Sequence, residues 1–366
     1  MYIWIQYRYI MDISKKLKPD FTLQQTLIRL ISNIDFFKGK WEAIPRDQRY
    51  LYELKTMATI ESIGSSTRIE GAKLTDAEIA ELLKHIKISK LKSRDEEEVI
   101  GYYETLDIIF ENFSDLSITE SNIKQLHRLL LKHSSKDQRH KGEYKNLSNK
   151  VVANYPDGTQ RVIFNTTEPH LTAGVMSDLV SWMKTELNKK ELHPLLVTSI
   201  FIYEFLSIHP FQDGNGRLSR LLTSLLLLRS GYEFIQYISF ENIVEKKKKQ
   251  YYKALMEGQK DRNTKKENIE SWVLFFLEAM MELTQKLEAK IKTYSSKGAY
   301  MNERQKKLFK AIEDSQPLKL ADLDSLFKEV SVNTLKKDLL YLKKEKLIAT
   351  MGKGKSTVYV ILKSLL

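Results

Sequence analysis

The sequence predicts a mainly α-helical chain, and three observations predict it. The 366 residues include only 14 glycines and 7 prolines, too few chain punctuators for the many turns of an all-β fold. After residue 46, apolar residues recur at three-to-four spacing through most of the chain, the period of an amphipathic helix. In the body of the chain one stretch breaks that pattern. Residues 150–164, KVVANYPDGTQRVIF, carry two β-prone runs around Pro156-Asp157-Gly158, a turn signal between short strands. A single β-hairpin is therefore expected on a helical body.

In order, helices are expected over 46–69, 76–92 and 95–112. The next, 118–133, begins with Thr119 as N-cap and Glu120 in its first turn. Helices over 172–189 and 191–208 follow. The second, ELHPLLVTSIFIYEFLSI, is apolar on nearly every side, as a central buried helix must be. Helices over 214–230 and 241–257, then a long one over 265–294, complete the body. Ser295-Ser296-Lys297-Gly298 reads as a linker. Beyond it come helices over 302–314, 320–327 and 331–346, then strands 347–351 and 357–361 around Gly352-Lys353-Gly354-Lys355. Three helices and a hairpin are the order of a winged helix-turn-helix. The expected domains are 1–94, 95–294 and 300–366.

Composition narrows the chemistry. No cysteine is present, which removes disulfides, thiolate zinc sites and cysteine nucleophiles. With 42% hydrophobic and 29% charged residues the chain is globular in character. The first residues lack a basic n-region and a small-residue cleavage site. No apolar run approaches the ~18 residues of a membrane span. A cytoplasmic protein without a membrane partner is expected. The net charge is +12, which favours phosphate-bearing partners. Residues 301–366 hold 14 Lys+Arg against 8 Asp+Glu, or +6, half of that excess. In 331–346, Val332, Leu335, Leu339 and Leu342 form the expected buried stripe. Asn333, Lys336, Lys337, Lys343 and Lys344 face out, with Lys353 and Lys355 on the wing tip. That is a phosphate footprint for DNA, although winged helices also serve as protein-docking or dimerisation modules.

The densest chemical signal runs from His209 to Arg220, HPFQDGNGRLSR. Pro210 places His209 at a helix end. Gly214 and Gly216 permit a backbone that aims N–H groups at one point, and a new helix N-terminus follows, an anion cradle. Arg217 and Arg220 share a helix face, Asp213 can hold Mg²⁺ on phosphate oxygens, and His209 takes a proton near pH 7. Read singly, Asp213 is equally an N-cap and each arginine a surface pair. Together they supply a base, a metal ligand and a cradle for phosphoryl or nucleotidyl transfer. A second motif is Ser66-Thr67-Arg68-Ile69-Glu70-Gly71. Ser66 and Glu70 share a face, Gly71 stands past a helix end, and Glu70 opposes the helix dipole. That placement asks for a cationic partner, either Arg68 or a nearby lysine, or a cation from elsewhere.

The His209–Arg220 stretch resembles the Fic-domain motif H-P-F-x-D/E-G-N-G-R-x-x-R at every specified position, and the resemblance extends over roughly residues 47–294. It implies a Fic-type helical bundle carrying a β-hairpin flap. It implies AMP transfer from ATP to a Tyr, Thr or Ser hydroxyl of a target protein, releasing pyrophosphate. By that resemblance His209 is the general base and Asp213 holds Mg²⁺ on the α- and β-phosphates. Gly214, Asn215 and Gly216 form the anion hole, Asn215 also contacting the α-phosphate. Arg217 contacts the β-phosphate and Arg220 the γ-phosphate. The related Doc toxins, which transfer phosphate, carry Lys where Gly216 stands. Arg161, Val162, Ile163 and Phe164 form the flap strand that binds target backbone by strand addition. Tyr252, with Gln259 behind it, is placed near the adenine; a core pairing of Tyr251 with Tyr252 remains open. Two departures stand at the flap: Gly142-Glu143-Tyr144-Lys145 where the family often has Gly-x-Tyr-Arg, and Glu168-Pro169 where two prolines are common. The Ser66–Gly71 segment resembles the Fic inhibitory helix, which sets Glu70 against Arg220 and blocks the γ-phosphate. Some relatives use that glutamate to align a water that removes AMP. Removal of AMP, use of another nucleotide, and a DNA-binding regulator that senses nucleotide are therefore alternative readings. Self-association into a homodimer is a further expectation from the family.

Overall fold

The computed structural model describes residues 16–44, 49–85, 91–135, 139–154, 160–296, 301–345, 347–352, 354 and 357–361. The chain divides into two compact units, 1–47 with 51–286, and 48–50 with 287–366. The N-terminal region and the expected catalytic region thus share one unit.

That unit opens with a helix the sequence reading did not anticipate, α1 (Phe21–Glu42). Its N-cap is Asp20, whose carboxylate accepts from the Leu23 N–H at 2.8 Å. Leu27, Leu30, Ile34, Phe37 and Trp41 form its buried stripe. α2 (Arg49–Glu70) follows, then α3 (Asp76–Lys84), started by a Thr75–Glu78 capping box. The latter ends earlier than expected, and residues 86–90 lie outside the described ones. α4 (Arg94–Asn112) and α5 (Glu120–Leu130) match their expected spans closely, and Thr119 caps α5 as anticipated. The hairpin is present as β1 (Lys150–Asn154) and β2 (Gln160–Asn165), antiparallel. Its expected Pro156-Asp157-Gly158 turn lies outside the described residues. The pairing shifts between Val151, opposite Phe164, and Val152, opposite Val162. Ile163 is the extra residue of that bulge.

α6 (Pro169–Lys189), α7 (Pro194–Ile208) and α8 (Asn215–Arg229) form the centre. Thirteen of the fifteen residues of α7 are buried, and the same holds for α8. Flanked by α6 and α8, α7 has no solvent face, which explains its lack of amphipathic pattern. The expected helix over 241–257 is two helices, α9 (Phe240–Lys246) and α10 (Lys248–Gln259), broken at Lys247. α11 (Glu270–Ser296) is the long helix. No helix among the described residues is long and apolar enough to cross a membrane.

The second unit contains α12 (Glu303–Ser315), β3 (Leu318–Lys319), α13 (Leu320–Leu326), α14 (Val332–Lys344), β4 (Ile348–Met351) and β5 (Val358–Ile361). The strands form one antiparallel sheet in the order β3-β5-β4. Leu308, Ile312, Leu323, Leu335, Leu339, Leu342 and Ile348 make its core. Val332 does not join that stripe. It is 38% exposed at the start of α14. The polar Asp338 is buried instead, satisfied by Arg304 and Gln305. Lys336, Lys337, Lys343 and Lys344 are exposed as expected, while Lys353 and Lys355 lie outside the described residues.

Four charges are buried beneath α7. Lys16 Nζ is 2.7 Å from Glu204 Oε1 and 3.2 Å from Glu267 Oε1, and Arg262 Nη2 is 2.7 Å from Glu204 Oε2. Burial pushes the Glu204 carboxyl up, but Arg262 and Lys16 outweigh it and hold the group below its ordinary value. Glu204→Ala leaves two cations, Lys16 and Arg262, to share the one carboxylate of Glu267. It is expected to destabilise this unit by about 3–5 kcal/mol, read by urea denaturation; a loss under about 1 kcal/mol, the surface-pair range, would contradict this.

Candidate active site

The chain reverses between two buried helices in six residues. His209 ends α7 in the left-handed region (φ 52°), its N–H bonded to Phe205 O at 2.9 Å. Gly214 (φ 77°) turns the chain into α8. Asn215, Gly216 and Arg217 are the first residues of α8, so their N–H groups lack an acceptor within the helix. The Asn215 carboxamide accepts from Phe211 N at 2.9 Å and donates to Phe211 O at 2.7 Å. Its side chain is thus turned into the loop, and what it offers an anion is main chain.

Three residues that sequence reasoning missed hold this loop. The His127 ring stacks on Phe211 with centroids 3.8 Å apart. Its Nδ1 accepts from Gly142 N at 2.9 Å, which leaves Nε2–H to donate to Asp213 O at 3.0 Å. Asn149 donates to Phe211 O at 2.8 Å. Lys145 Nζ donates to Ile208 O at 3.0 Å, and its main-chain N–H to Pro210 O at 2.8 Å. These residues stand 62 to 86 positions upstream of the loop carbonyls they hold, so no pattern within the loop announces them.

His209 lines a cavity of about 320 Å³. Burial, reinforced by the Lys145 ammonium, pushes its imidazole down to about 4. The ring is therefore neutral at pH 7, a free base. Asp213 is paired with Arg217 at 3.1 Å and faces Arg94 at 3.7 Å. Burial pushes its carboxyl up, but Arg217, the Gly214 N–H and Arg94 prevail and hold it below its ordinary value. Arg217 is 2% exposed. Nη1 lies 3.1 Å from Glu98 Oε2, yet Nε and Nη1 are buried without a well-formed hydrogen bond. A buried guanidinium with spare donors on a cavity wall fits a phosphate oxygen.

Arg220 is fully engaged. Its Nε donates to Ser66 Oγ at 2.7 Å, and Nη2 donates to Ser66 O at 2.9 Å and Glu70 Oε1 at 2.7 Å. The partner of the last-turn glutamate is thus a cation 150 residues away rather than Arg68. Glu70 Oε1 stands where a Cβ on Gly216 would be, so the carboxylate lies against the start of α8. Around it, Lys248 Nζ donates to Ile69 O at 2.8 Å, answering the helix end. Arg68 instead forks onto Glu245 at 2.8 and 3.1 Å.

Tyr251, Tyr252 and Leu255 line the same cavity. Tyr251 and Tyr252 also meet edge to face at 5.3 Å, so core pairing and cavity lining coexist. Gln259 does not line the cavity; its amide donates to Tyr203 Oη at 2.9 Å. On the flap strand Val162 is 57% exposed, and Ile163 and Phe164 are half-buried. Nothing is described of the Arg161 side chain, though its backbone pairs with Ala153. A larger groove of about 700 Å³, around Met183, His193 and Arg229, holds no motif residue.

The neutral ring makes a pH prediction. The unfolded chain takes up the His209 proton at the ordinary value and the folded chain only near about 4. Stability linked to this group therefore falls as pH drops through that window. Followed by NMR, the His209 ring is expected to stay untitrated down to pH 5; a midpoint near 6.5 would refute a desolvated ring.

Residues 117–227 match the Fic/DOC family model. The protein adenylyltransferase Fic of Drosophila willistoni is 31% identical over 206 residues, 56% of this chain and 39% of that protein. That of Drosophila mojavensis is 32% identical over 206 residues, 38% of its length. The chain thus spans about two fifths of the length of these curated relatives. A Fic family protein from Desulfovibrio desulfuricans shares the fold at a TM-score of 0.65 and 20% identity, covering 94% of this chain and 98% of that one. A Fic domain containing signaling protein from Bacteroides thetaiotaomicron aligns at 0.55 and 25% identity, over 69% of this chain and 94% of that one. With the motif intact and its loop built as a cradle, the chain's similarity to the Fic/DOC family centres on residues 117–227.

Proposed function

We propose that this chain is a protein adenylyltransferase held inhibited by Glu70. The observation that carries the inhibition is the Glu70 carboxylate on Arg220 and against Gly216. An anion of the chain itself occupies the cradle that a phosphate would use. The adenylyltransferase names of the relatives support the activity, carried over to this shorter chain.

The chain's own groups account for the steps. The main-chain N–H groups at the start of α8 and the Arg217 guanidinium hold phosphate oxygens and stabilise the charge that develops on them. A target hydroxyl presented along β2 reaches the His209 imidazole, which accepts its proton. The hydroxyl oxygen attacks the α-phosphorus, the bond to the β-phosphate oxygen breaks, and pyrophosphate leaves. The target keeps AMP as a phosphodiester, and the proton stays on His209 until solvent removes it. Among the described residues no cluster of three or more His, Asp or Glu could hold an ion unaided. Asp213 with substrate phosphates and water is nonetheless the sparse carboxylate set that Mg²⁺ ordinarily takes. When bound, Mg²⁺ neutralises phosphate charge there.

Incubation with radiolabelled ATP and Mg²⁺ tests this. Glu70→Gly is expected to raise self-labelling well above the parent, and adding His209→Ala to lower it by about 10²–10⁴. Equal labelling by Glu70→Gly and parent would refute the inhibition. Labelling that survives loss of His209 would refute the base. Release of AMP from pre-labelled protein, dependent on Glu70, would favour the removal reaction.

We further propose that the second unit is a winged helix-turn-helix that binds duplex DNA. The α–β–α–α–β–β order and the exposed Lys336, Lys337, Lys343 and Lys344 along α14 support it. If all four meet phosphates, log affinity against log salt has a slope of about −3.6. Fluorescence anisotropy measures that slope, and affinity indifferent to salt would overturn the reading in favour of protein docking.

A further inference from the structure

Lys145 is nearly fully buried, 4% exposed, yet forms no ion pair among the described residues. Its three ammonium protons meet three uncharged oxygens: Asn149 Oδ1 at 2.8 Å, Thr166 Oγ1 at 2.7 Å and Ile208 O at 3.0 Å. Three donors around a tetrahedral nitrogen match three acceptors. The acceptors have distinct addresses. Asn149 is the residue before β1 and Thr166 the residue after β2, so both ends of the hairpin root are held. Ile208 is the last residue of α7, one before His209. The lysine's own N–H donates to Pro210 O, and Asn149, held by the ammonium, donates to Phe211 O. Carbonyls on both sides of His209 are thus tied to the hairpin root through Lys145 and the Asn149 it holds.

We propose that Lys145 is a positioning residue of the transferase site: its ammonium bolts the root of the β1–β2 hairpin to the main chain around His209. The strand that presents a hydroxyl and the ring that takes its proton then stay in one register. A buried cation satisfied only by neutral oxygens is costly to keep. A methionine would fill the same space without that cost, so packing alone does not account for the charge. The charge also faces His209 and helps to keep its ring neutral, while Glu168, just past the root of the hairpin, favours the ammonium.

The inference rests on the transferase reading, so its test carries one arm that needs no catalysis. In Lys145→Met, amide exchange is expected to speed up together in 150–154, 160–165 and 211–213, with α7 and α8 unchanged. In the Glu70→Gly background the same substitution is expected to lower the maximal rate of self-labelling by about tenfold or more, the scale of a misplaced reacting group. The ATP concentration for half-maximal rate should stay within about twofold, because the cradle and Arg217 are untouched. Lys145→Arg, which keeps the cation, should recover part of the rate. Should Lys145→Met fail to fold, Thr166→Val, which removes one acceptor only, serves in both arms. Exchange that rises in one segment without the other, or labelling reduced only through weaker ATP binding, would overturn the proposal. If the Glu70→Gly parent takes no label, the transferase reading fails by itself, and the exchange arm still supports or refutes the bolt.

Discussion

Two helices buried on all sides must be joined by a turn whose polar main chain lies at the edge of the core. That constraint governs the rest of the molecule. A buried carbonyl or N–H without a partner costs about 1–3 kcal/mol, and the His209–Gly214 turn has several such groups with no helix or sheet to satisfy them. Their partners come from elsewhere: His127 for Asp213 O, Asn149 for Phe211 O, Lys145 for Ile208 O and Pro210 O. Asn215 adds a local partner for the Phe211 main chain. With the carbonyls thus occupied on the protein side, the first residues of α8, whose N–H groups have no acceptor within the helix, line the cavity. The cradle is what remains once the turn's other groups have been satisfied.

The same economy bears on the pair formed by Glu70 and Arg220. Arg220 is buried, and burial alone disfavours its charge; Glu70 outweighs that effect and holds the guanidinium above its ordinary value. The pair is partly open on the glutamate side, where the carboxylate is 34% exposed against 4% for the arginine. The glutamate side of the pair therefore opens on the cavity while Arg220 stays packed. The segment that carries Glu70 is anchored by contacts separate from the cradle, Arg68 on Glu245 and Lys248 on Ile69 O. The contact with Arg220 and the anchoring of the segment thus fall to different residues.

Much of this was legible in the sequence. Element types followed from periodicity nearly throughout, and α7 was recognisable as central because it lacks a polar face. The His209–Arg220 stretch carried its chemistry openly, since a cradle built from consecutive residues is a local object. α1 was overlooked although Asp20 and the Leu27, Leu30, Ile34, Phe37, Trp41 stripe announce it. Val332 was misplaced because a helix's first residue has no preceding turn to pack beside it. The break at Lys247 could not be read, since a lysine-rich run sustains a helix as readily as it ends one.

The sequence by itself determined the helical class, the single hairpin and the composition of the anion loop, because those depend on neighbours along the chain. Only tertiary structure decided that the partner of Glu70 is Arg220, that the Asn215 side chain is spent on its own loop, and that Lys145 and His127 hold the turn. Each of these joins residues whose separation in sequence carries no information about separation in space, or depends on which of several competing polar partners comes within hydrogen-bonding reach. Packing of the buried helices settles that competition, and packing is a property of the whole chain.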